Sequence, residues 1–307
     1  MEPSIIQDLG ELDGNRLFIK RDDLLPYSFG GNKARKALLF FEEIDRGGYD
    51  CVVTYGSGSS NLCRVVANLC RGRGLPCRII RPQEASEPSY NSRMTDLFGA
   101  AYTTVPVSRV HDTIEETLTV LRAEGRKPYF IPGGGHGDLG TEAYVRCYRE
   151  IKDWETANGI HFDLIFFASG TGTTQAGLVC GQLLAGDVRE IVGISIARKN
   201  PRGRDVVVES VRSYLAGRAD EDVIQAATIF LDDYTAGYGK NDRRVDETIR
   251  FALECWGIPL DATYTGKAFM GMREVLASRR LTGKNTLFLH TGGTPLFFDW
   301  MERTKKT

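Results

Sequence analysis

Along nearly the whole chain, short runs rich in β-branched and aromatic residues alternate with longer stretches of helical spacing, and no other feature restricts the fold as much. Candidate strands cover residues 17–20 (LFIK), 51–55 (CVVTY), 77–81 (CRIIR), 101–105 (AYTTV), 129–131 (YFI), 163–168 (DLIFFA), 191–196 (IVGISI) and 285–290 (NTLFLH). Candidate helices fill the intervals at 33–46, 60–72, 89–98, 108–124, 139–157, 174–185, 203–217, 242–256, 266–278 and 293–303. Strands separated by helices join through right-handed crossovers, which gives parallel sheets covered by helices on both faces. The expected class is α/β. At 307 residues the chain exceeds the ~250–300 at which a single core stops growing, so two lobes are expected. The polar stretch at 152–163 is the best candidate for the crossing between them.

Composition excludes several function classes. With 39 basic and 40 acidic residues the formal net charge is -1, so nothing marks a polyanion-binding surface and no nucleic-acid partner is expected. The apolar run at 164–168 is far short of the ~20 residues that span a bilayer. The first 15 residues carry early acids and no basic stretch leading into an apolar run. No membrane association is expected, and the expected location is the cytoplasm. The seven cysteines never fall in C-x-x-C spacing and the four histidines never at i, i+4, which argues against a disulfide framework and against a metal site. His136 reads as structural or as a substrate contact, and the basic stretch RKNPRGR (198–204) as a solvated loop.

In open α/β sheets ligands bind beyond the carboxyl ends of strands, and four such loops carry chemical residue types. GSGSSN (56–61) precedes a helix, where its backbone N–H groups, with Ser60 and Asn61, suit an anion or simply cap the helix. SGTGTTQAG (169–177) can cradle a phosphate through N–H groups and the helix dipole, and the missing G-K-[ST] excludes a nucleoside-triphosphate loop. PGGGHGDLG (132–140) places Gly135, Gly137 and Gly140 in G-x-G-x-x-G spacing, but the next strand ends in Ala168 and Ser169 without the acid that a dinucleotide ribose needs. In TGGTP (291–295), Thr291 either caps a helix or presents a neutral hydroxyl to a bound ring.

One lysine stands against its surroundings. SFGGNKARKALLFF (28–41) sets Lys33, Arg35 and Lys36 at the start of a helix, the end where the macrodipole favours negative charge. Either Lys33 is solvated, or the helix start, nearby cations and partial burial destabilise its ammonium and make the neutral amine available as a nucleophile. A neutral lysine beside a phosphate cup suggests a Schiff base with pyridoxal phosphate.

GGNKARK (30–36), SSNLCR (59–64), ASGTGTTQAGL (168–178), LDDYTAGYG (231–239), YTGKA (264–268) and HTGG (290–293) together resemble the D-cysteine desulfhydrase and 1-aminocyclopropane-1-carboxylate deaminase family. Those are pyridoxal-phosphate enzymes of the tryptophan-synthase β-subunit fold. The resemblance spans about residues 15–300. It implies a two-lobed fold with a smaller domain over 47–157 and a larger cofactor-binding domain from 1–46 plus 158–307, and a homodimer.

By the same resemblance Lys33 is the Schiff-base lysine and proton carrier, and Asn61 holds the cofactor's ring oxygen. Ser60 and its loop hold the substrate carboxylate, and Gly170, Thr171, Gly172, Thr173 and Thr174 form the phosphate cup. Thr291 faces the pyridine nitrogen, while Tyr264 and Tyr238 line the substrate side. The family often has glycine where Thr173 stands. Cyclopropane deaminases carry glutamate after the tyrosine of this motif; Thr265 here is desulfhydrase-like. Ser59 and Leu62 depart from the family's usual glutamine and polar residue, which leaves β-elimination, cyclopropane ring opening and β-replacement open as activities on a small amino acid. A sensor that kept the pocket is the remaining alternative.

Overall fold

A computed structural model of the chain describes residues 2–305 apart from positions 236, 238 and 241. All eight expected strands form, and two more appear. Ile6–Leu12 (β1) runs antiparallel to Asn15–Arg21 (β2). Asp13 and Gly14, with φ of 51° and 76°, join them in the two-residue hairpin that an Asp-Gly pair favours. The hairpin escapes the pattern of alternation because β1 is an edge strand, mostly exposed and broken by a register shift at Asp8/Gly10.

The remaining strands are Cys51–Tyr55 (β3), Cys77–Pro82 (β4), Ala101–Val105 (β5), Pro128–Ile131 (β6), Leu164–Ser169 (β7), Glu190–Ser195 (β8), Ile229–Leu231 (β9) and Asn285–His290 (β10). They form a six-stranded sheet in the order β1-β2-β10-β7-β8-β9 and a four-stranded sheet in the order β5-β4-β3-β6. Every pairing except β1 with β2 is parallel. The second strand that the spacing did not predict, β9, is three residues long and lies at the far edge of the larger sheet.

Helices Asn32–Gly47 (α1), Asn61–Arg73 (α2), Tyr90–Leu97 (α3), Val110–Ala123 (α4), Asp138–Asn158 (α5) and Thr173–Leu184 (α6) are followed by Arg202–Leu215 (α7), Glu221–Ala227 (α8), Arg243–Trp256 (α9), Thr265–Ser278 (α10) and Thr294–Thr304 (α11). Among the described residues no helix is long and apolar enough to cross a membrane.

The period of two in a strand sends alternate residues to opposite faces. Phe18, Ile165, Phe167 and Leu287 pack with Tyr144, Val179 and Val211 of α5, α6 and α7 on one face of the larger sheet. Leu17, Ile19, Phe166 and Phe288 pack with Ile249, Met272 and Trp300 of α9, α10 and α11 on the other. Strand β7 is buried along its whole length, as a central parallel strand covered on both faces must be. The smaller sheet packs Val52, Ile79 and Ile131 against α1 and α2, and Val53 and Ile80 against α4.

Helix α1 touches both cores. Phe40, Phe41 and Ile44 join the core of the smaller sheet, and Leu39 joins that of the larger. A buried ionic cluster fixes its first turn. Arg35 donates to Asp22 through Nε and Nη2, each at 2.8 Å, and to Glu150 Oε1 at 2.6 Å. Ser4 and Tyr144 add hydroxyl donors to Asp22. Arg35, together with Lys20, holds the Asp22 carboxyl down at about 2 against the opposing effect of burial.

Candidate active site

The turn before α1 is set by backbone contact. Gly31 has φ of 89°, and a Cβ there would lie 2.6 Å from the carbonyl oxygen of Thr291, so only glycine fits. The close approach lets Asn32 N donate to Thr291 O at 2.9 Å, while Asn32 Nδ2 donates to Thr174 Oγ1 at 3.0 Å. One asparagine therefore locks the start of α1 to the loop after β10 and to the start of α6.

Next in sequence, Lys33 turns into a cavity of about 610 Å³ lined from loops of both sheets. Its Nζ donates to Gly134 O at 3.0 Å, and burial lowers its ammonium from 10.5 to about 8. Its cationic neighbours act differently from what the sequence suggests. Arg35 is committed to Asp22 and Glu150. Lys36 is fully buried, donates to Thr173 Oγ1 at 2.6 Å, and is itself pushed well below its ordinary value by burial and by Lys33.

Gly170, Thr171, Gly172 and Thr174 line the cavity. Helix α6 starts at Gly172 with no capping side chain and no acid in its first turn, so its first N–H groups and its positive end are available to an anion. Thr173 is buried beneath this loop and does not line the cavity; its hydroxyl is the acceptor for Lys36. The glycine-rich loop after β6 has a packing role as well: a Cβ on Gly140 would lie 1.9 Å from Gly135 O.

Ser60 caps α2, accepting from Cys63 N at 3.2 Å, and also lines the cavity with Asn61 and Leu62. The cap reading of this loop therefore holds, and the same residues face the cavity. Thr291 and Tyr264 also line the cavity. Tyr264 is held from below by the buried Asp261, which accepts from the N–H groups of Thr263, Tyr264 and Thr265 at 2.7–3.0 Å and from the Thr265 hydroxyl at 2.8 Å. Tyr238 lies outside the described residues. His136 lines the cavity too, its imidazole pushed down by burial and by Lys36, Arg198 and Lys33. Arg198 departs from the solvated loop expected of its segment, since it lines the cavity and donates from Nη1 to Thr171 O at 3.2 Å.

The sequence assigns no contact in the site to Asp261, Lys36, Arg64 or Asn91, all of them buried. Lys36 and Asn91 meet partners distant in the chain, while Asp261 binds the turn at 263–265. Among the described residues no three His, Cys, Asp or Glu side chains come together as a metal site. The donor set fits pyridoxal phosphate: an amine of depressed basicity, an uncapped helix start with small residues, and neutral amide and hydroxyl groups between them.

The model of the family described as pyridoxal-phosphate dependent enzyme matches residues 5–292. A D-cysteine desulfhydrase of Serratia proteamaculans is 31% identical over 94% of this chain and 90% of its own, and one of Yersinia enterocolitica is 32% identical over the same shares. A provisionally named 1-aminocyclopropane-1-carboxylate deaminase of Pyrococcus abyssi is 32% identical over 98% of this chain and 90% of its own. A crystal structure of an ACC deaminase homologue superposes with a TM-score of 0.87 at 29% identity, covering 100% of this chain and 94% of the other.

Proposed function

The chain belongs to the pyridoxal-phosphate-dependent enzymes, and from that premise we propose that it is a D-cysteine desulfhydrase-like lyase acting on a small amino acid with a β-leaving group. The observation that carries this reading is one cavity shared by the Lys33 amine, the uncapped start of α6 and the Ser60–Asn61 loop. Bound there, pyridoxal phosphate supplies a carbonyl that captures the substrate amine and a ring that draws electrons from the α-carbon.

The chain's own groups then have distinct tasks. Lys33 Nζ takes the α-proton, and the burial that lowers its ammonium favours the neutral amine that this task needs. Gly170, Thr171, Gly172 and Thr174 hold the phosphate, with Thr173 contributing its backbone while its hydroxyl serves Lys36. Asn61 donates to the ring oxygen, and Ser60 with its loop binds the substrate carboxylate. Thr291 presents a neutral hydroxyl to the ring nitrogen, which weakens the ring as an electron sink and favours loss of a β-group over transamination. Tyr264, with Tyr238, lines the substrate side. From cysteine, the α-hydrogen and the thiol depart as sulfide, and one water converts the released enamine to pyruvate and ammonia.

Ring opening of 1-aminocyclopropane-1-carboxylate is the second reading, favoured by the name of the Pyrococcus relative and opposed by Thr265. The division of the strands between two sheets supports the proposed domains, 47–157 and 1–46 plus 158–307, although α5 packs on the larger sheet and much of α1 on the smaller; a cytoplasmic homodimer completes the reading. A panel of D- and L-amino acids with β-leaving groups, scored by pyruvate release, tests it. D-cysteine should give pyruvate and sulfide, and Lys33→Ala should give neither. A yellow holoenzyme that releases pyruvate from no member of the panel would refute the elimination.

A further inference from the structure

Arg64, in the first turn of α2, is fully buried, yet among the described residues no carboxylate pairs with it. Its Nη1 donates to Asn61 Oδ1 at 2.7 Å and to Asn91 Oδ1 at 2.6 Å, while Nε and Nη2 are buried without a hydrogen-bond partner. Burial alone drives its pKa down to about 9, with Tyr264 opposing the fall. A buried guanidinium without a counter-ion destabilises a fold, and replacing it by an apolar side chain of similar volume is often neutral or favourable. Stability does not explain its presence.

The hydrogen-bond directions do. A guanidinium has donors and no acceptor, so both amide oxygens that meet Nη1 must face it, and both NH₂ groups must face away. Asn91 Nδ2 accordingly donates to Ser59 O at 2.8 Å and to Asn61 Oδ1 at 3.0 Å. Asn61 Oδ1 thus receives two donors, and its NH₂ is left to the cavity wall that Asn61 lines.

We propose that Arg64 is a positioning residue that sets the polarity of the Asn61 amide, so that Asn61 can only donate, never accept, toward the cofactor's ring oxygen. The inference rests on the proposed placement of Asn61 beside that oxygen. Without Arg64 the Asn61 oxygen keeps only the amide of Asn91, which can turn together with it, and an oxygen presented to an anionic ring oxygen repels it. Partners that orient a contact residue in this way typically matter by ~10–100-fold in affinity at metal sites, and a loss of that order is expected here.

The test is a double-mutant cycle on cofactor affinity, measured by titrating the cofactor-free proteins with pyridoxal phosphate and following the visible band. Asn61→Ala and Arg64→Met should each weaken binding by roughly 10-fold or more, and the double variant should bind no more weakly than Asn61→Ala alone. The Arg64→Met protein without cofactor should melt at or above the wild-type temperature. Should it fail to fold, Asn91→Leu, which removes one of the two donors to Asn61 Oδ1, should show a smaller loss with the same non-additivity. Wild-type affinity in Asn61→Ala would refute the placement of Asn61. A weakened Asn61→Ala beside an unaffected Arg64→Met, or losses that multiply in the double variant, would overturn the role of Arg64 alone.

Discussion

Replacing Lys33 by methionine should stabilise the cofactor-free protein while removing its chemistry. Burial lowers the Lys33 ammonium from 10.5 to about 8, and each unit corresponds to ~1.4 kcal/mol. Keeping Lys33 charged in the native state near neutral pH therefore costs about 3 kcal/mol relative to the unfolded chain. Methionine keeps most of the stem and loses the charge. It also loses the bond from Nζ to Gly134 O, worth ~1 kcal/mol, so the net gain is about 2 kcal/mol. The pH dependence identifies the cause. Between about pH 8 and 10.5 the unfolded chain holds a proton on Lys33 that the native state has released, so wild-type stability rises with pH across that window. The variant lacks this rise, and its advantage should shrink toward zero as pH passes through the window. Lys36 adds a rise of its own to both proteins, and its release from the charge of Lys33 adds to the variant's gain near neutral pH. Urea unfolding of both cofactor-free proteins from about pH 7 to 10 measures the difference. A variant no more stable than wild type at pH 7, or a gap that stays constant to pH 10, would refute the assignment of a strained amine.

Gly31→Ala should cost at least ~2 kcal/mol, seen as a lower melting temperature, because the new Cβ meets the Thr291 carbonyl at a positive φ; cofactor affinity should fall with it, since Asn32 and Lys33 come directly after. Arg35→Met should cost ~3–5 kcal/mol by leaving Asp22 buried without its main cation. Asp22 has its folded pKa of about 2 below the ordinary 3.8, so its contribution is present above that value and lost as pH falls toward 2; in Arg35→Met acid unfolding should begin at higher pH. Asp261→Asn should lower kcat by ~10–100-fold while sparing cofactor affinity, because the carboxylate that places Tyr264 loses acceptor capacity on the substrate side only.

The sequence carries the fold because the central strands are buried on both faces and read as unbroken apolar runs between helical stretches. It misses β1, β9 and α8, which are short or lie at sheet edges and so owe their form to neighbours instead of to their own pattern. The loops of the site are legible for a related reason, since glycine and hydroxyl residues after a buried strand have few other uses. The charges are not. From the sequence, Lys33 is expected to be strained by the helix dipole, by partial burial, and by Arg35 and Lys36 if they point toward it. Burial is the cause, Arg35 being turned toward Asp22 and Glu150, which lie 13 and 115 positions away in the chain. Pairings at such separations leave no local trace, and the contact of Arg64 with Asn91, 27 positions apart, is hidden for the same reason.

Thr265 changes its meaning once its surroundings in the fold are known. It separates the two reactions by pattern, yet it is fully buried and does not line the cavity. Its hydroxyl donates to Asp261 Oδ2 at 2.8 Å and accepts from Asp261 N at 2.9 Å, so its influence reaches substrate through the seat of Tyr264. The Asp261 carboxyl is already pushed up by burial, and a glutamate at 265 would set a second carboxyl against it with no cation among the donors that hold it. Their repulsion pushes one of the two further toward its protonated form, against the charge of nearby Lys267, and Tyr264 loses its fixed support. Thr265→Glu alone should therefore depress pyruvate release without conferring ring opening, read as ammonia release from 1-aminocyclopropane-1-carboxylate. Ring opening gained at the expense of elimination would show that residue 265 acts on substrate directly, and that the buried hydrogen bonds to Asp261 are incidental to selectivity.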